Sequence, residues 1–199
     1  MMDDSEKHRF DKIREFASKH VSKDSRVLNA GSSDGQVLDN LRLDNVVNVD
    51  IRKNNLKNFI LGDCHELPFK DDIFDLCIFT EVLAFVQDPL RVIREIQRTS
   101  KKVLVTSPNN TTLRKGLWLL RGKTYWRSGN VTKNVFWREY NWNETKKMFE
   151  DNGFQLVHGE GIGFIIGKPK YLHLERLENV YPRLLSSKVL MLFEREKLS

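Results

Sequence analysis

The sequence is most informative at residues 27–38, which read VLNAGSSDGQVL. The apolar start predicts a buried strand, the two glycines predict a tight turn, and the remainder predicts the beginning of a helix. A second apolar run, VVNVD at residues 46–50, ends in Asp50, nineteen residues after Gly31. A glycine turn lets the backbone approach a ligand, and a strand-end carboxylate at this spacing can hold two ribose hydroxyls. The pattern therefore indicates a nucleotide-type site whose geometry suits an adenosyl cofactor.

The composition is typical of one globular domain. The chain has 199 residues, of which 40% are hydrophobic and 30% charged, and only two are cysteines. Two cysteines are too few for a disulfide scaffold or a zinc cluster. The first residues are polar and acidic, and no apolar run approaches the ~18 residues that a membrane span needs. We therefore expect one cytoplasmic domain over residues 1–199, without a signal peptide or a membrane span.

The net charge of +6 is unevenly distributed along the chain. Residues 1–100 carry 15 basic and 18 acidic side chains, whereas residues 101–199 carry 18 basic and 9 acidic ones. The excess is concentrated in residues 101–138, which hold nine Lys or Arg and no Asp or Glu. Such a patch can attract phosphates, anionic lipid or acidic small molecules, or it can be a solvated basic face without a partner. The sequence leaves both interpretations open.

Strands and helices alternate through the first half of the chain. Apolar residues at helical spacing predict an N-terminal helix over about residues 5–20. Continuous apolar runs predict parallel strands, and Pro89 suits the first turn of a helix. The predicted strands cover residues 26–30, 46–50, 59–61, 74–80 and 101–106, and helices are predicted over 36–43 and from Pro89 onward. This order predicts an α/β fold with a right-handed, doubly wound sheet.

The second half of the chain departs from this rhythm. Residues 109–140 are basic and aromatic without a clear core strand, and we expect them to form a mobile lid beside the fifth strand. Turn and cap residues then predict a helix over 144–151 that is capped by Asn143. The remaining predicted elements are a strand over 154–158, a helical stretch over 172–185 and a final strand over 188–194.

From residue 26 to residue 107 the chain resembles the class I S-adenosylmethionine-dependent methyltransferases, in particular their small type 11 branch. The resemblance rests on motifs that follow one another in the family's order. They are the glycine turn at 27–35, NVDI at 48–51, GDCHELPF at 62–69, FDL at 74–76, TEVL at 80–83 and VTSPN at 105–109, with NGF at 152–154 beyond them. The resemblance implies a Rossmann-like, seven-stranded sheet of order 3-2-1-4-5-7-6 with helices on both faces. It also implies S-adenosylmethionine as the cofactor and S-adenosylhomocysteine as the product.

The resemblance implies a role for each residue of the first motif. The backbone at Gly31 and Gly35 would pass close to the amino-acid end of the cofactor. Ser33 replaces the family's central glycine, and its side chain would narrow the space in which the backbone approaches the cofactor. Asn29 stands where the family usually has Asp, so its contact with the aminium of the cofactor would lose a charge.

The later motifs carry the rest of the implied site. Asp50 would bridge the ribose hydroxyls, and Ile51 would pack on the adenine. Asp63 would accept a hydrogen bond from the adenine amino group, and the amide of Cys64 would reach a ring nitrogen. Thr80, at the end of the fourth strand, would lie beside the sulfur that donates the methyl group.

Two other families share part of this pattern. Residues 31–35 also fit G-x-S-x-G, in which Ser33 would be the nucleophile of an α/β-hydrolase. A nucleophile elbow lies mid-sheet after strands that supply the oxyanion loop, and the sequence contains no HGGG-like segment. Binding of NAD fits the spacing from Gly31 to Asp50, but GDCHELPF at 62–69 has no counterpart in dehydrogenases.

The sequence assigns no catalytic residue. Methyl transfer from a sulfonium has a good, neutral leaving group, so alignment of the reactants can suffice, and a base is needed only when the acceptor must lose a proton early. Glu81 is the carboxylate expected at the donor edge, as a base, as a substrate contact, or as a helix-start residue that complements the dipole. Some relatives place Glu-His shortly afterwards for a metal, but Ala84 and Phe85 occupy those positions, and we expect no metal site.

The acceptor is expected to be a small or lipid-like molecule that carries negative charge. A non-catalytic module that binds S-adenosylmethionine or S-adenosylhomocysteine is an alternative that Asn29 and Ser33 favour. An RNA methyltransferase is a second alternative, which the basic, aromatic residues of 109–140 favour. It is less favoured because Ser107, Pro108 and Asn109 follow strand five, and no Asn-Pro-Pro-Tyr-like motif follows strand four.

Overall fold

A computed structural model describes residues 4–39, 41, 43–122, 138–164 and 181–196. Its centre is a seven-stranded sheet of order β3-β2-β1-β4-β5-β7-β6, as predicted. The first five strands are parallel to one another, and β7 runs antiparallel to both β5 and β6. The strands are β1 Arg26–Ala30, β2 Asn45–Asp50, β3 Phe59–Leu61, β4 Leu76–Thr80, β5 Lys102–Pro108, β6 Phe154–Phe164 and β7 Ser186–Arg195.

Helices cover both faces of the sheet, which confirms the doubly wound architecture. Successive strand residues point to opposite faces, so Val27 and Leu28 of β1 belong to two different hydrophobic clusters. Ile13 of α1 packs with Val27, whereas Ile93 of α2 and Phe149 of α4 lie in the cluster of Leu28. The helices are α1 Asp4–Ser18, α2 Pro89–Thr99, α3 Leu113–Leu120, α4 Trp142–Glu150 and α5 Pro182–Leu185.

The prediction of a helix over residues 36–43 is wrong. In the described part of this stretch, which excludes residues 40 and 42, the helical structure is a short 3-10 turn over Gln36–Leu38. Gly35 precedes this turn without a capping side chain, and Asp39 adopts an extended conformation that ends it. Asp, like Asn, competes with the helical backbone through its own side chain and favours turns, which explains why the apolar spacing did not prevail.

Several other boundaries differ from the prediction. Helix α4 begins two residues early because Asn141, not Asn143, caps it: Asn141 and Glu144 form a reciprocal capping box. Strand β4 begins at Leu76 instead of residue 74. Strands β6 and β7 are longer than predicted because they pair with each other along almost their whole length. Of the helical stretch predicted over 172–185, only residues 181–185 are described, and α5 occupies four of them.

The lid predicted over residues 109–140 is described only at its two ends. Asn109 and Tyr140 form a bridge, and the buried amide of Asn109 donates to the carbonyl oxygens of Arg183 at 2.9 Å and Ser186 at 3.0 Å. The base of the segment is therefore fixed to the sheet. Residues 123–137 lie outside the described part of the chain, so the mobility of the lid stays a prediction. No helix in the described ranges is both long and apolar enough to cross a membrane.

Candidate functional site

The carboxyl ends of three central strands meet at one edge of the sheet. Strand β1 pairs in parallel with β2 on one side and with β4 on the other. Ala30, Asp50 and Thr80 are the last residues of these strands and therefore share that edge. The order of strands reverses direction between β1 and β4, and open α/β sheets bind ligands in the crevice at such a switch point.

The turn after β1 contains three residues with left-handed backbones. Gly31, Ser33 and Gly35 have φ of 74°, 48° and 78°. A Cβ on Gly31 would overlap the side chain of Val82, and one on Gly35 would lie 2.6 Å from Leu56. Both glycines are thus required by the fold of the turn, and Ser33 bears the cost of a left-handed conformation in a non-glycine residue.

Asp50 faces this turn from the end of β2. Its carboxylate accepts hydrogen bonds from the backbone N–H groups of Ser33 at 2.8 Å and Arg52 at 2.9 Å. The side chain of Asn54 also holds the turn, donating to the carbonyl oxygen of Ser33 at 2.8 Å. Each carboxylate oxygen has a second lone pair, so Asp50 can still accept a bond from a ribose hydroxyl. The structure thus places a fixed anionic acceptor at the mouth of the crevice.

The residues predicted to surround an adenine also meet here. Ile51 is 69% exposed, which leaves an apolar side chain open beside the carboxylate of Asp50. Cys64 is buried, and desolvation, together with the negative charges of Asp63 and Asp50, raises the pKa of its thiol to about 12. Asp50 pairs with Leu61 across β2 and β3, and the N–H of Gly62 donates to the carbonyl oxygen of Asp50 at 3.0 Å, so Asp63 and Cys64 follow directly beside Asp50. These residues fit an adenosyl group: an apolar wall, a ribose acceptor and a second carboxylate.

Asp63 has a partner that the sequence did not reveal. His65 donates to its carboxylate from the backbone N–H at 2.9 Å, and the Nδ1 atom of the ring lies 2.6 Å away. Partial burial raises the pKa of Asp63 and the bonds from His65 lower it, with a net lowering. The Nε2 atom of His65 accepts from the backbone N–H of Asp88, the capping residue of α2, so the hydrogen-bond pattern fits a ring that is protonated on Nδ1. His65 therefore joins the loop after β3 to the start of α2.

Asn29 is less accessible than its predicted role requires. It is buried in the sheet, and its amide nitrogen donates to the side-chain oxygen of Asn48 at 2.9 Å. The amide of Asn48 in turn donates to the carbonyl oxygen of Lys57. Only the side-chain oxygen of Asn29 is left for an aminium, so its contact with a cofactor stays a prediction.

A charged cluster borders the crevice beyond Thr80. Glu81 does not begin a helix; it has φ of 61°, and its N–H donates to the carbonyl oxygen of Thr106. Its carboxylate accepts from the hydroxyl of Thr106 at 3.2 Å and pairs with Lys188 of β7 and, at 3.6 Å, with Arg9 of α1. The Nε atom of Arg9 is buried and has no hydrogen-bond partner among the described residues. The sequence could not predict this cluster, because its members come from distant parts of the chain.

Neither cysteine nor metal chemistry is indicated at this edge. Burial raises the pKa of Cys77 well above its usual value, and Cys64 behaves likewise, so both thiols are held protonated. Within the described ranges, no group of three or more His, Cys, Asp or Glu side chains is placed to hold a metal ion.

Solved structures share this fold over nearly their whole length. A protein from Pyrococcus horikoshii has a TM-score of 0.67 and 17% identity, over 98% of this chain and 92% of that one. An S-adenosylmethionine-dependent methyltransferase from Thermotoga maritima has a TM-score of 0.60 and 16% identity, over 96% and 95%. One from Methanosarcina mazei has a TM-score of 0.62 and 13% identity, over 92% and 98%. At such identities the likeness establishes the fold.

The sequence itself supplies the family. No curated protein matches this chain. A methyltransferase-domain family model, that of the type 11 branch, matches residues 28–103, the stretch from the first strand through the glycine turn, Asp50 and Thr80 to the fifth strand. This match, together with the shared fold, supports a class I S-adenosylmethionine-dependent methyltransferase of the type 11 branch, whose methyl donor is S-adenosylmethionine.

Proposed function

We propose that this methyltransferase modifies a small or lipid-like acceptor that carries negative charge. The observation that carries the proposal is that two groups of residues, one suited to a nucleoside and one containing cations, lie at the same edge of the sheet. Asp50 and Ile51 lie at the end of β2, where the nucleoside would bind, and the cluster of Glu81, Arg9 and Lys188 lies beyond Thr80. An acceptor that enters between them meets cations next to the methyl donor.

The donor half would hold the cofactor through fixed groups. Asp50 would bind the ribose hydroxyls through its remaining lone pairs, and Ile51 would cover the adenine. Asp63 and the backbone N–H of Cys64 would read the edge of the base, with His65 keeping Asp63 in place. Thr80 would lie beside the sulfonium, which supplies the electrophilic methyl group when the cofactor is bound.

The acceptor half would act mainly by orientation. Glu81 is held by Thr106, Lys188 and Arg9, so its carboxylate serves to position the two cations instead of standing ready as a base. The buried Nε–H of Arg9, which no residue in the described part of the chain accepts, is a donor that an anionic group of the acceptor would satisfy. Holding the acceptor atom in line with the methyl–sulfur bond supplies most of the needed rate, because the leaving group is neutral.

We also propose that residues 1–199 form a single domain in which residues 109–140 act as a lid over the acceptor. The segment leaves the sheet directly after β5 and returns at Tyr140, beside its own starting point. Hydrogen exchange should be faster in α3 than in β4, and it should slow in α3 when cofactor and acceptor are both present. Protection of α3 equal to that of β4 in the ligand-free protein would contradict the lid.

The test of the acceptor class uses S-adenosylmethionine with a radioactive methyl group. The protein would be incubated with aqueous metabolites, organic-solvent extracts and RNA in separate reactions. We expect label in a small or lipid-like product whose transfer is weakened by Lys188→Gln, while the affinity for S-adenosylhomocysteine is unchanged. Lys146→Gln on the surface of α4 is the matched control. Label in a neutral product, with equal transfer by both variants, would contradict an anionic acceptor.

Two alternatives give different results in the same experiment. A module that only binds the cofactor, which the Asn29 and Ser33 replacements favour, would bind S-adenosylhomocysteine and label no fraction. An RNA methyltransferase, which the basic residues of 101–138 favour, would label RNA and bind it with an affinity that falls steeply as salt rises.

A further inference from the structure

Helix α3 is apolar yet has no buried residue. Its sequence, LRKGLWLL, contains four leucines and a tryptophan, and all four leucines are exposed. The exposed fraction reaches 69% at Leu119 and 84% at Leu120. Scattered apolar residues are ordinary on protein surfaces, but an adjacent set of this size marks a contact with another apolar surface.

Three leucines of α3 form one stripe, with two arginines along one side of it. Leu113, Leu117 and Leu120 recur at spacings of four and three, which places them on one stripe of the helix. Arg114 and Arg121 follow Leu113 and Leu120 directly in sequence, about 100° around the helix from the stripe. A leucine face flanked by arginine is the arrangement of helices that lie in the interface of a bilayer.

The face is presented from a fixed base. The side chain of Thr112 caps α3 by accepting from the N–H of Lys115, and Lys115 pairs with Glu139 at the other end of the segment. Asn109, three residues before the cap, is buried and bonded to the backbone around α5. The N-terminal end of helix α3 is therefore anchored to the fold, while its leucines remain exposed.

The charge of the sequence around α3 indicates which kind of partner binds its exposed leucines. Residues 109–122, which include α3, contain three Lys or Arg and no Asp or Glu, so a partner that is both apolar and anionic fits this surface. A bilayer with anionic head groups has this chemistry, and its surface potential attracts basic segments. We propose that α3 docks on an anionic lipid bilayer, with Leu117 and Leu120 entering the acyl region and Arg121 meeting lipid phosphates. The proposal does not require methyl transfer, although it would bring a lipid-like acceptor to the site.

The test compares binding of the full chain to two kinds of vesicle by co-sedimentation. One kind is phosphatidylcholine alone, and the other contains about a quarter phosphatidylglycerol. We expect binding to the anionic vesicles, lost as salt rises from about 0.1 M to about 1 M. Leu120→Glu should weaken it about tenfold or more, because a leucine is replaced by a charge that the bilayer repels. Leu90→Glu is the matched control, since Leu90 is also exposed but lies in the first turn of α2, where an acid is tolerated.

Three results would overturn the proposal. Equal binding to both kinds of vesicle, or to neither, excludes an anionic bilayer as the partner. Equal binding by Leu120→Glu and Leu90→Glu places the contact elsewhere on the protein. Sedimentation equilibrium that shows a dimer in wild type and Leu90→Glu, but a monomer in Leu120→Glu, assigns the leucine face to a second copy of the chain. Binding of S-adenosylhomocysteine should be the same in both variants, so failure of this proposal is distinguishable from failure of the proposed function.

Discussion

Replacing Asp50 by alanine tests the predicted contact between the protein and the ribose of the cofactor. The carboxylate of Asp50 accepts from the N–H groups of Ser33 and Arg52 and keeps lone pairs for a ribose. The substitution would remove the ribose contacts and also release the turn that contains Ser33. Hydrogen bonds to a charged partner contribute about 1.5–3 kcal/mol each. In the alanine variant, water can bind the ribose hydroxyls in the open crevice, so the loss is smaller than the sum of two such bonds. Loss of even about 1.4 kcal/mol weakens binding tenfold, so we expect a tenfold or larger rise in Kd for S-adenosylhomocysteine.

The assay is isothermal titration calorimetry with two further variants. Asp50→Asn keeps the shape and one acceptor oxygen, so it should weaken binding less than Asp50→Ala. Asp44→Ala is the matched control, because Asp44 precedes the other end of β2 and pairs with Lys23 at the surface. Equal affinity in wild type, Asp50→Ala and Asp44→Ala would refute the ribose assignment.

Three further predictions follow from the same edge of the sheet. Gly31→Ala should lower the free energy of unfolding by about 2 kcal/mol or more, since its Cβ would overlap Val82 in a left-handed turn. Gly116→Ala, in the open middle of α3, should raise the free energy of unfolding by about 0.5–1 kcal/mol. Urea denaturation that ranks the two variants the other way would count against the turn geometry. Ser33→Gly should keep or improve cofactor binding because glycine tolerates φ of 48°, and covalent labelling of Ser33 by a fluorophosphonate probe would instead indicate a hydrolase. At pH 8 both thiols should react with a disulfide reagent far more slowly in the native protein than in urea, because burial keeps the pKa of Cys64 at about 12 and that of Cys77 well above its usual value; rapid reaction of the native protein would show that they are accessible.

The sequence predicted the elements whose signal is local. Strand β1, its glycine turn and the carboxylate at the end of β2 are marked by residue types at short spacing, and the structure has them where the motifs placed them. The helix after Gly35 failed because the apolar spacing of 36–43 was outweighed by Asp39. Strands β6 and β7 extend beyond their apolar cores because each is completed by the other, a pairing that no local pattern reveals.

The residues of the candidate site likewise fall into those that local motifs predict and those that only the fold brings together. Asp50, Ile51 and Asp63 follow from motifs, but the partner of Asp63 and the cluster around Glu81 do not. Arg9, Glu81 and Lys188 are brought together by α1, the end of β4 and β7, so no sequence spacing relates them. The left-handed backbone of Glu81 is likewise imposed by the structure around it.

The most direct test of the account is a crystal structure of the protein with S-adenosylhomocysteine. We predict that the ribose hydroxyls lie within hydrogen-bonding distance of the carboxylate of Asp50, with the adenine against Ile51 and beside Asp63, and with the sulfur near Thr80. S-adenosylhomocysteine bound elsewhere, or bound at this edge without a contact to Asp50, would contradict the assignment of the cofactor site.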